Sequence, residues 1–435
     1  MRFRRISITN MRLIGDETRT VNVLPDKNVL ILLGDNGFGK TAILDAMATA
    51  MAPYSAQFPG ISDFQLFDWD VHINRNGRRS NYLIVDAELT DGDRVIPSVR
   101  YRKGMSNTPK ANYEQLKQIA IDKKEAIIAG EPGVELPVFA YYGTGRGQFR
   151  VPERRRGLQQ TYERWDCYKN AICPETDFKR FFGWFDLMED EERRMKEKLK
   201  DFDYKSPILQ AVRRALSEIV TSFQNPRIET RPLRFVMDRM DEDGTPHELR
   251  IEQFSDGYKI VIAMVADLAA RMAEANPEMA DPLQGNGIVL VDEIDLHLHP
   301  QWQRTILIQL TNVFPNVQFI VSTHSPVIVV GAAGIAQVEN LNNKNGLGED
   351  VTKSNVGKIL LGELFGLRSL QSPQWDDKIN ERDAILSKSV LDADDRKRLA
   401  QLDEELKGLS SLQDSNAIRS GKLLEKLARQ LQIEL

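Results

Sequence analysis

The stretch Gly34-Asp35-Asn36-Gly37-Phe38-Gly39-Lys40-Thr41 constrains this chain more than any other. It follows the apolar run Val29-Leu30-Ile31-Leu32-Leu33 and opens the helical pattern Ala42-Ile43-Leu44-Asp45-Ala46-Met47-Ala48. A buried strand, a glycine-rich turn and a helix N-terminus in that order make a phosphate-binding loop. Gly34, Asn36, Gly37 and Gly39 let backbone N–H groups converge on phosphate oxygens, and the helix dipole adds its positive end. Lys40 neutralises the β- and γ-phosphates, and the Thr41 hydroxyl is placed to hold Mg²⁺. An ordinary βα turn explains the glycines alone; the flanking strand, the helix and the Lys-Thr pair favour a nucleotide.

With 435 residues, 41% of them hydrophobic and 28% charged, the chain has enough apolar material for one large domain with additions or for two domains. A net charge of −5 argues against wholesale coating of nucleic acid but leaves room for a local basic patch. The longest apolar stretches, such as Val327 to Ala336, are too short to span a bilayer, so no membrane partner is expected. The start, Met1 to Ile8, alternates like a strand and lacks the apolar core of a signal peptide. Cys167 and Cys173 have no histidine near them, so zinc is not expected, and their scarcity fits a reducing cytoplasm.

Taken in order, residues 2–9 and 18–24 read as strands and Tyr82–Leu89 with Arg94–Tyr101 as a hairpin over Asp91-Gly92. A helix at about 112–129 and a strand Leu136–Tyr142 follow. The character then changes. Arg146, Arg150, Arg154, Arg155 and Arg156 crowd one loop, where they suit either nucleic-acid phosphates or solvent. Phe178, Phe181, Phe182, Trp184 and Phe185 read as the core of a helical insertion, and Glu189 to Lys200 as a solvated helix face. Strands return at Ile228–Arg239 and Glu248–Glu252, a helix runs Gly257–Ala275, and two apolar strands, Ile288–Val291 and Val317–Val321, flank a helix at Gln301–Val313. Short apolar strands alternating with helices predict an α/β fold, a mainly parallel sheet covered on both faces.

Three further stretches carry chemistry. Ile288-Val289-Leu290-Val291 ends in Asp292-Glu293: the first carboxylate would hold Mg²⁺ opposite Thr41, and the second would polarise an attacking water. Val321-Ser322-Thr323-His324 ends the next strand with a histidine placed to contact a γ-phosphate. Phe254-Ser255-Asp256-Gly257-Tyr258-Lys259 precedes a helix, where Ser255 and Gly257 make either a second phosphate corner or a plain helix cap.

In this order, Gly34 to Thr41, Phe254 to Lys259, Asp292-Glu293 and His324 resemble the Walker A, signature, Walker B and switch-histidine motifs of ABC-type ATPases. The resemblance covers about residues 1–335 and is nearest to the RecF/SMC-like and OLD-like branch. Tyr141-Tyr142-Gly143-Thr144-Gly145-Arg146 and Asp292 to Gln303 are similar to stand-alone ATPases of bacterial anti-phage systems, the Septu type among them. Departures are the signature Phe-Ser-Asp-Gly-Tyr, His299 where many relatives carry Asp, and the lack of a clear glutamine-loop residue, for which Gln65 and Asp70 are the candidates.

The resemblance implies a P-loop ABC-type ATPase head with an inserted helical region and a helical C-terminal extension. The corresponding divisions are 1–142 and 228–340 for the two parts of the head, 143–227 for the insertion and 341–435 for the extension. It further implies ATP and Mg²⁺ as ligands, Lys40, Glu293 and His324 as catalytic groups, and a head-to-head dimer in which Ser255 and Gly257 face the partner's nucleotide. A separate nuclease subunit of HNH type would be the effector; the alternative is a RecF-like ATPase that binds DNA ends. Asp392-Ala393-Asp394, the one tail match to a Toprim metal motif, reads as a helix start, so this chain is not expected to cut DNA. The motif-bearing core is expected to end near Val330. The apolar helix Val356–Phe365 and the stripe Leu423, Leu424, Leu427 and Leu431 mark the extension as the surface for partner docking or assembly.

Overall fold

Apolar runs without polar alternation become central strands because both of their faces are covered. In the computed structural model the five residues of β3 (Val29–Leu33) are all buried, as are those of β6 (Val138–Tyr142), β10 (Gly287–Val291) and β11 (Val317–Thr323). With β12 (Ala336–Asn340) they form a parallel sheet in the order β12-β3-β11-β10-β6. The register pairs Leu33 with Thr323, and Val291 with both Val321 and Tyr142. The C-terminal ends of β3, β11, β10 and β6 therefore open along one edge, where ligands bind in such sheets.

The remaining elements build around this sheet. Strands β1 (Arg2–Thr9), β2 (Arg19–Asn22), β4 (Tyr82–Asp91) and β5 (Arg94–Lys103) form an antiparallel sheet in the order β2-β1-β4-β5. Helix α1 (Lys40–Ser55) packs between the two sheets, and α2 (Glu114–Ile128) packs on α1 and β5. Burial all round explains why α1 is rich in Ala, Met, Ile and Leu with no polar stripe. Gln318 ties the sheets together: the Phe3 N–H donates to its Oε1 at 2.7 Å, and its Nε2 donates to the Phe3 carbonyl at 3.1 Å.

Helices α3 (Phe178–Leu199) and α4 (Pro207–Ile219) pack against α5 (Asp256–Ala275). Phe178, Phe181 and Phe185 surround Phe235 of an antiparallel sheet formed by β7 (Phe223–Thr230), β8 (Leu233–Met240) and β9 (Pro246–Arg250). The expected single strand Ile228–Arg239 is thus a hairpin. Pro232 lacks the N–H that a continuous ladder needs, and the chain turns there. Glu189 and Glu192, expected in solvent, are buried because Arg213 of α4 pairs with both. Helices α6 (Pro300–Val313) and α7 (Pro326–Gly331) complete the layer.

The core does not end near Val330. Strand β12 adds to β3, and beyond it the Leu341 N–H donates to the Leu33 carbonyl at 2.7 Å.

The structure describes residues 1–103, 111–147, 161–174, 178–241, 244–342, 356–361, 365, 372–388 and 393–406. They fall in two compact units, Met1–Lys353 and Ser354–Leu435. The second contains α8 (Val356–Leu361), α9 (Pro373–Leu386) and α10 (Ala393–Leu406); Arg398 pairs with Glu381, and Arg382 with Asp403, between the last two. Asp394 is exposed in the first turn of α10. Arg150, Arg154, Arg155, Arg156 and the leucine stripe 423–431 lie outside the described residues. Among the described residues no helix is long and apolar enough to cross a membrane.

Candidate functional site

The edge of the parallel sheet gathers side chains from loops far apart in sequence. Gly37 and Gly39 both take φ of +87°, left-handed values that a side chain would strain, and this curls residues 35–39 onto the start of α1. Gly34 is crowded for a different reason: a Cβ there would stand 3.1 Å from that of Leu341, closer than most such contacts. The Asn342 Oδ1 accepts from the Asp35 N–H at 2.9 Å, so the chain leaving β12 helps shape the loop.

Lys40 is buried under this loop. Its Nζ donates to the Gly34 carbonyl at 2.7 Å and to that of Asp35 at 3.2 Å, and lies 2.6 Å from His324 Nε2. An ammonium carries donors only, so His324 Nε2 is the acceptor in this contact. Burial lowers the Lys40 pKa below its ordinary value, while Glu293 and Asp292 pull it back up. Thr41, exposed at the helix start, donates from Oγ1 to Asp292 Oδ2 at 2.8 Å. The other oxygen of Asp292 accepts from Ser322 Oγ at 2.5 Å.

Glu293 follows with φ of +46°, unusual for a residue with a side chain and costing on the order of 1–3 kcal/mol. It lines a cavity of about 190 Å³ with Arg12, Asn36, Gly37, Gly39, Lys40 and Thr41. A hydroxyl beside a carboxylate is the hard-oxygen donor pair that suits Mg²⁺, an ion that takes few protein ligands and keeps waters or phosphate oxygens. Among the described residues there is no cluster of three or more His, Cys, Asp or Glu able to hold a metal.

Two residues here carry no signal of their own in the sequence. Arg12, just after β1, pairs with Asp45 of α1 at 2.5 Å and with Asp70 at 2.9 Å, which brings its guanidinium to the cavity. Ser322 also accepts from the Glu293 N–H at 2.7 Å. Asp70 itself is buried; it holds Arg12 and accepts from the Phe67 N–H at 2.8 Å.

Arg146 departs most from expectation. It is 2% exposed, not solvated or free for nucleic acid. Its Nη1 donates to the carbonyls of Gly143, at 3.0 Å, and Asp292; its Nη2 donates to that of Glu293 at 2.5 Å. Burial lowers its pKa to about 10 against the pull of Asp292, Asp295 and Glu293.

Ser255 and Gly257 stand apart from this pocket. They line a cavity of about 400 Å³ with Tyr258, His297, His299 and Trp302. Ser255 is exposed at the start of α5 and makes no side-chain capping bond, so a simple cap does not account for it. A Cβ on Gly257 would stand 2.6 Å from the His297 carbonyl, so that contact requires glycine. A third cavity, of about 660 Å³, adjoins the loop at Leu13, Gly37 and Phe38; Glu339 lines it, its carboxyl pushed up to about 7 by burial with Arg19 opposing.

Comparison with known proteins matches residues 29–330 to the family described as "AAA domain, putative AbiEii toxin, Type IV TA system". The chain is 27% identical over 375 residues to "Retron Ec83 probable ATPase" of Escherichia coli, covering 72% of this chain and 67% of that one. It is 34% identical over 125 residues to "Septu protein PtuA" of Bacillus mycoides (strain KBAB4), covering 27% of this chain and 17% of that one. Among solved structures, the Smc head bound to the C-winged helix domain of ScpA is similar over 77% of this chain and 92% of its own, with 15% identity and a TM-score of 0.46.

Proposed function

The chain belongs to the AAA-domain family that its residues 29–330 match, and on that footing we propose that it binds and hydrolyses ATP as the ABC-type ATPase subunit of an anti-phage defence complex. The observation that carries this reading is the meeting of Lys40 with His324 at 2.6 Å and of Thr41 with Asp292 at 2.8 Å, at the sheet edge beside the cavity that Lys40, Thr41 and Glu293 line. Relatives named as a retron ATPase and as PtuA support the defence context.

In this mechanism the left-handed loop glycines and the N-terminus of α1 hold the β-phosphate, and Lys40 turns from the loop carbonyls to the β- and γ-oxygens. Mg²⁺, held by Thr41 and Asp292, would offset phosphate charge. Glu293 accepts the proton of the attacking water, and His324 contacts the γ-phosphate from the end of β11. Because Ser255 and Gly257 line a separate cavity, a second copy of the chain is the natural source of a signature facing this pocket. The nucleotide state would then govern a separate nuclease, of HNH type by resemblance, in the cytoplasm, with residues 341–435 carrying the docking or assembly surface.

The test is a pair of variants. Lys40→Ala should abolish ATP binding, and Glu293→Gln should bind ATP but accumulate a nucleotide-bound assembly, visible by light scattering on gel filtration. Normal turnover by Glu293→Gln would sink the assignment of the base.

A further inference from the structure

Glu293 sits between two peptide groups, and each is held at both ends. In the first, the Asp292 carbonyl accepts from Arg146 Nη1 and the Glu293 N–H donates to Ser322 Oγ at 2.7 Å. In the second, the Glu293 carbonyl accepts from Arg146 Nη2 at 2.5 Å and the Ile294 N–H donates to the Ser322 carbonyl at 3.0 Å. Fixing both peptide planes fixes φ and ψ of the residue between them. Glu293 needs this, since its φ of +46° lies where a residue with a side chain stays only if its surroundings impose it.

Arg146 is an unusual choice for the task. Among the described residues no carboxylate lies within ion-pair distance of it, and all three of its hydrogen bonds end on main-chain carbonyls. A buried cation without an ion-pair partner is costly, and a neutral residue would fill the space at less expense. What guanidinium alone supplies is a planar fork whose two arms reach adjacent carbonyls at once. The fork is itself set from behind. The Gly143 N–H donates to the Pro174 carbonyl at 2.7 Å, and a Cβ on Gly143 would stand 2.6 Å from the Pro174 side chain.

We propose that Arg146 is the positioning residue of the hydrolytic step, acting with Ser322 to clamp the main chain on both sides of Glu293 and aim its carboxylate into the phosphate pocket. The assignment rests on the reading of Glu293 as the base. In this role Arg146 acts only through Glu293.

The experiment uses the full chain and three variants: Arg146→Met, which keeps bulk and loses the donors; Arg146→Lys, which keeps charge and loses the fork; and Glu293→Gln. Binding of ATP with Mg²⁺ should stay within about threefold of wild type in both Arg146 variants, whereas single-turnover hydrolysis should fall about 100-fold or more, as loss of general-base positioning predicts. In a Glu293→Gln background, Arg146→Met should cost nothing further. Amide hydrogen exchange, which needs no turnover, should show lost protection at Glu293 and Ile294 in Arg146→Met while helix α1 keeps its own. Full activity in Arg146→Lys, ATP binding that falls in step with rate, additivity with Glu293→Gln, or unchanged exchange at Glu293 and Ile294 would each overturn the proposal. Absence of turnover in the wild-type chain would instead overturn the ATPase reading, and the exchange result would still decide whether Arg146 forms the clamp.

Discussion

Thr41 Oγ1 lies 2.8 Å from Asp292 Oδ2, a contact between residues 251 positions apart. The first residues of α1 and the end of β10 therefore present hydroxyl and carboxylate to the same point. Asp292→Asn keeps a hydrogen-bond acceptor for Thr41 but removes the charge that attracts a divalent cation. ATP affinity, measured by titration with Mg²⁺ and then with EDTA, should differ between the two conditions in the wild type and hardly at all in the variant. A variant that keeps the full Mg²⁺ effect would remove Asp292 from the metal site.

Gly257 should tolerate no side chain. The 2.6 Å approach of its missing Cβ to the His297 carbonyl means that Gly257→Ala must displace the turn leading into α6. The expected outcome is an unchanged ATP affinity with loss of ATP-dependent dimerisation, read by sedimentation. Wild-type dimerisation would place the signature face away from the assembly interface.

Gln318 predicts a stability effect with no effect on nucleotide contacts. Gln318→Leu would leave the buried N–H and carbonyl of Phe3 without partners, at a cost of about 1–3 kcal/mol for each group left unsatisfied. Urea denaturation should show the shift in midpoint. No shift would mean that the sheets are joined without this bridge.

Glu274 gives stability a pH dependence. Burial pushes its carboxyl up to about 7 from the ordinary 4.5, with Arg180 and Arg271 opposing. The folded chain therefore binds a proton that the unfolded chain has lost between these values. This contribution is complete below about pH 4.5, falls away as the pH rises through that window, and is gone above about 7. Glu274→Gln should flatten the fall in melting temperature between pH 5 and pH 7; an identical pH profile would show that Glu274 does not titrate there.

The fold was legible where the physics is local. The runs Val29–Leu33, Ile288–Val291 and Val317–Val321 could only be strands covered on both faces, and the Gly-rich turn after the first could only lead into α1. Lys40, Thr41, Asp292 and His324 were readable because each ends or begins such an element at a fixed place. The residues missed act through tertiary contacts. Nothing around Arg12 announces Asp45 and Asp70, and a loop crowded with arginines reads as facing solvent or nucleic acid until Arg146 is found beneath the carbonyls of Asp292 and Glu293, 146 and 147 positions away. Glu189 and Glu192 misled for a similar reason, since their counter-charge, Arg213, comes from the next helix.

The bond from the Asp35 N–H to Asn342 Oδ1 ties the phosphate loop to the chain just past β12. It is a short lanyard between loop and sheet. A loop that tightens around a phosphate would tug on Asn342, and losing the Asn342 side chain would slacken the loop without removing any residue that meets the phosphate.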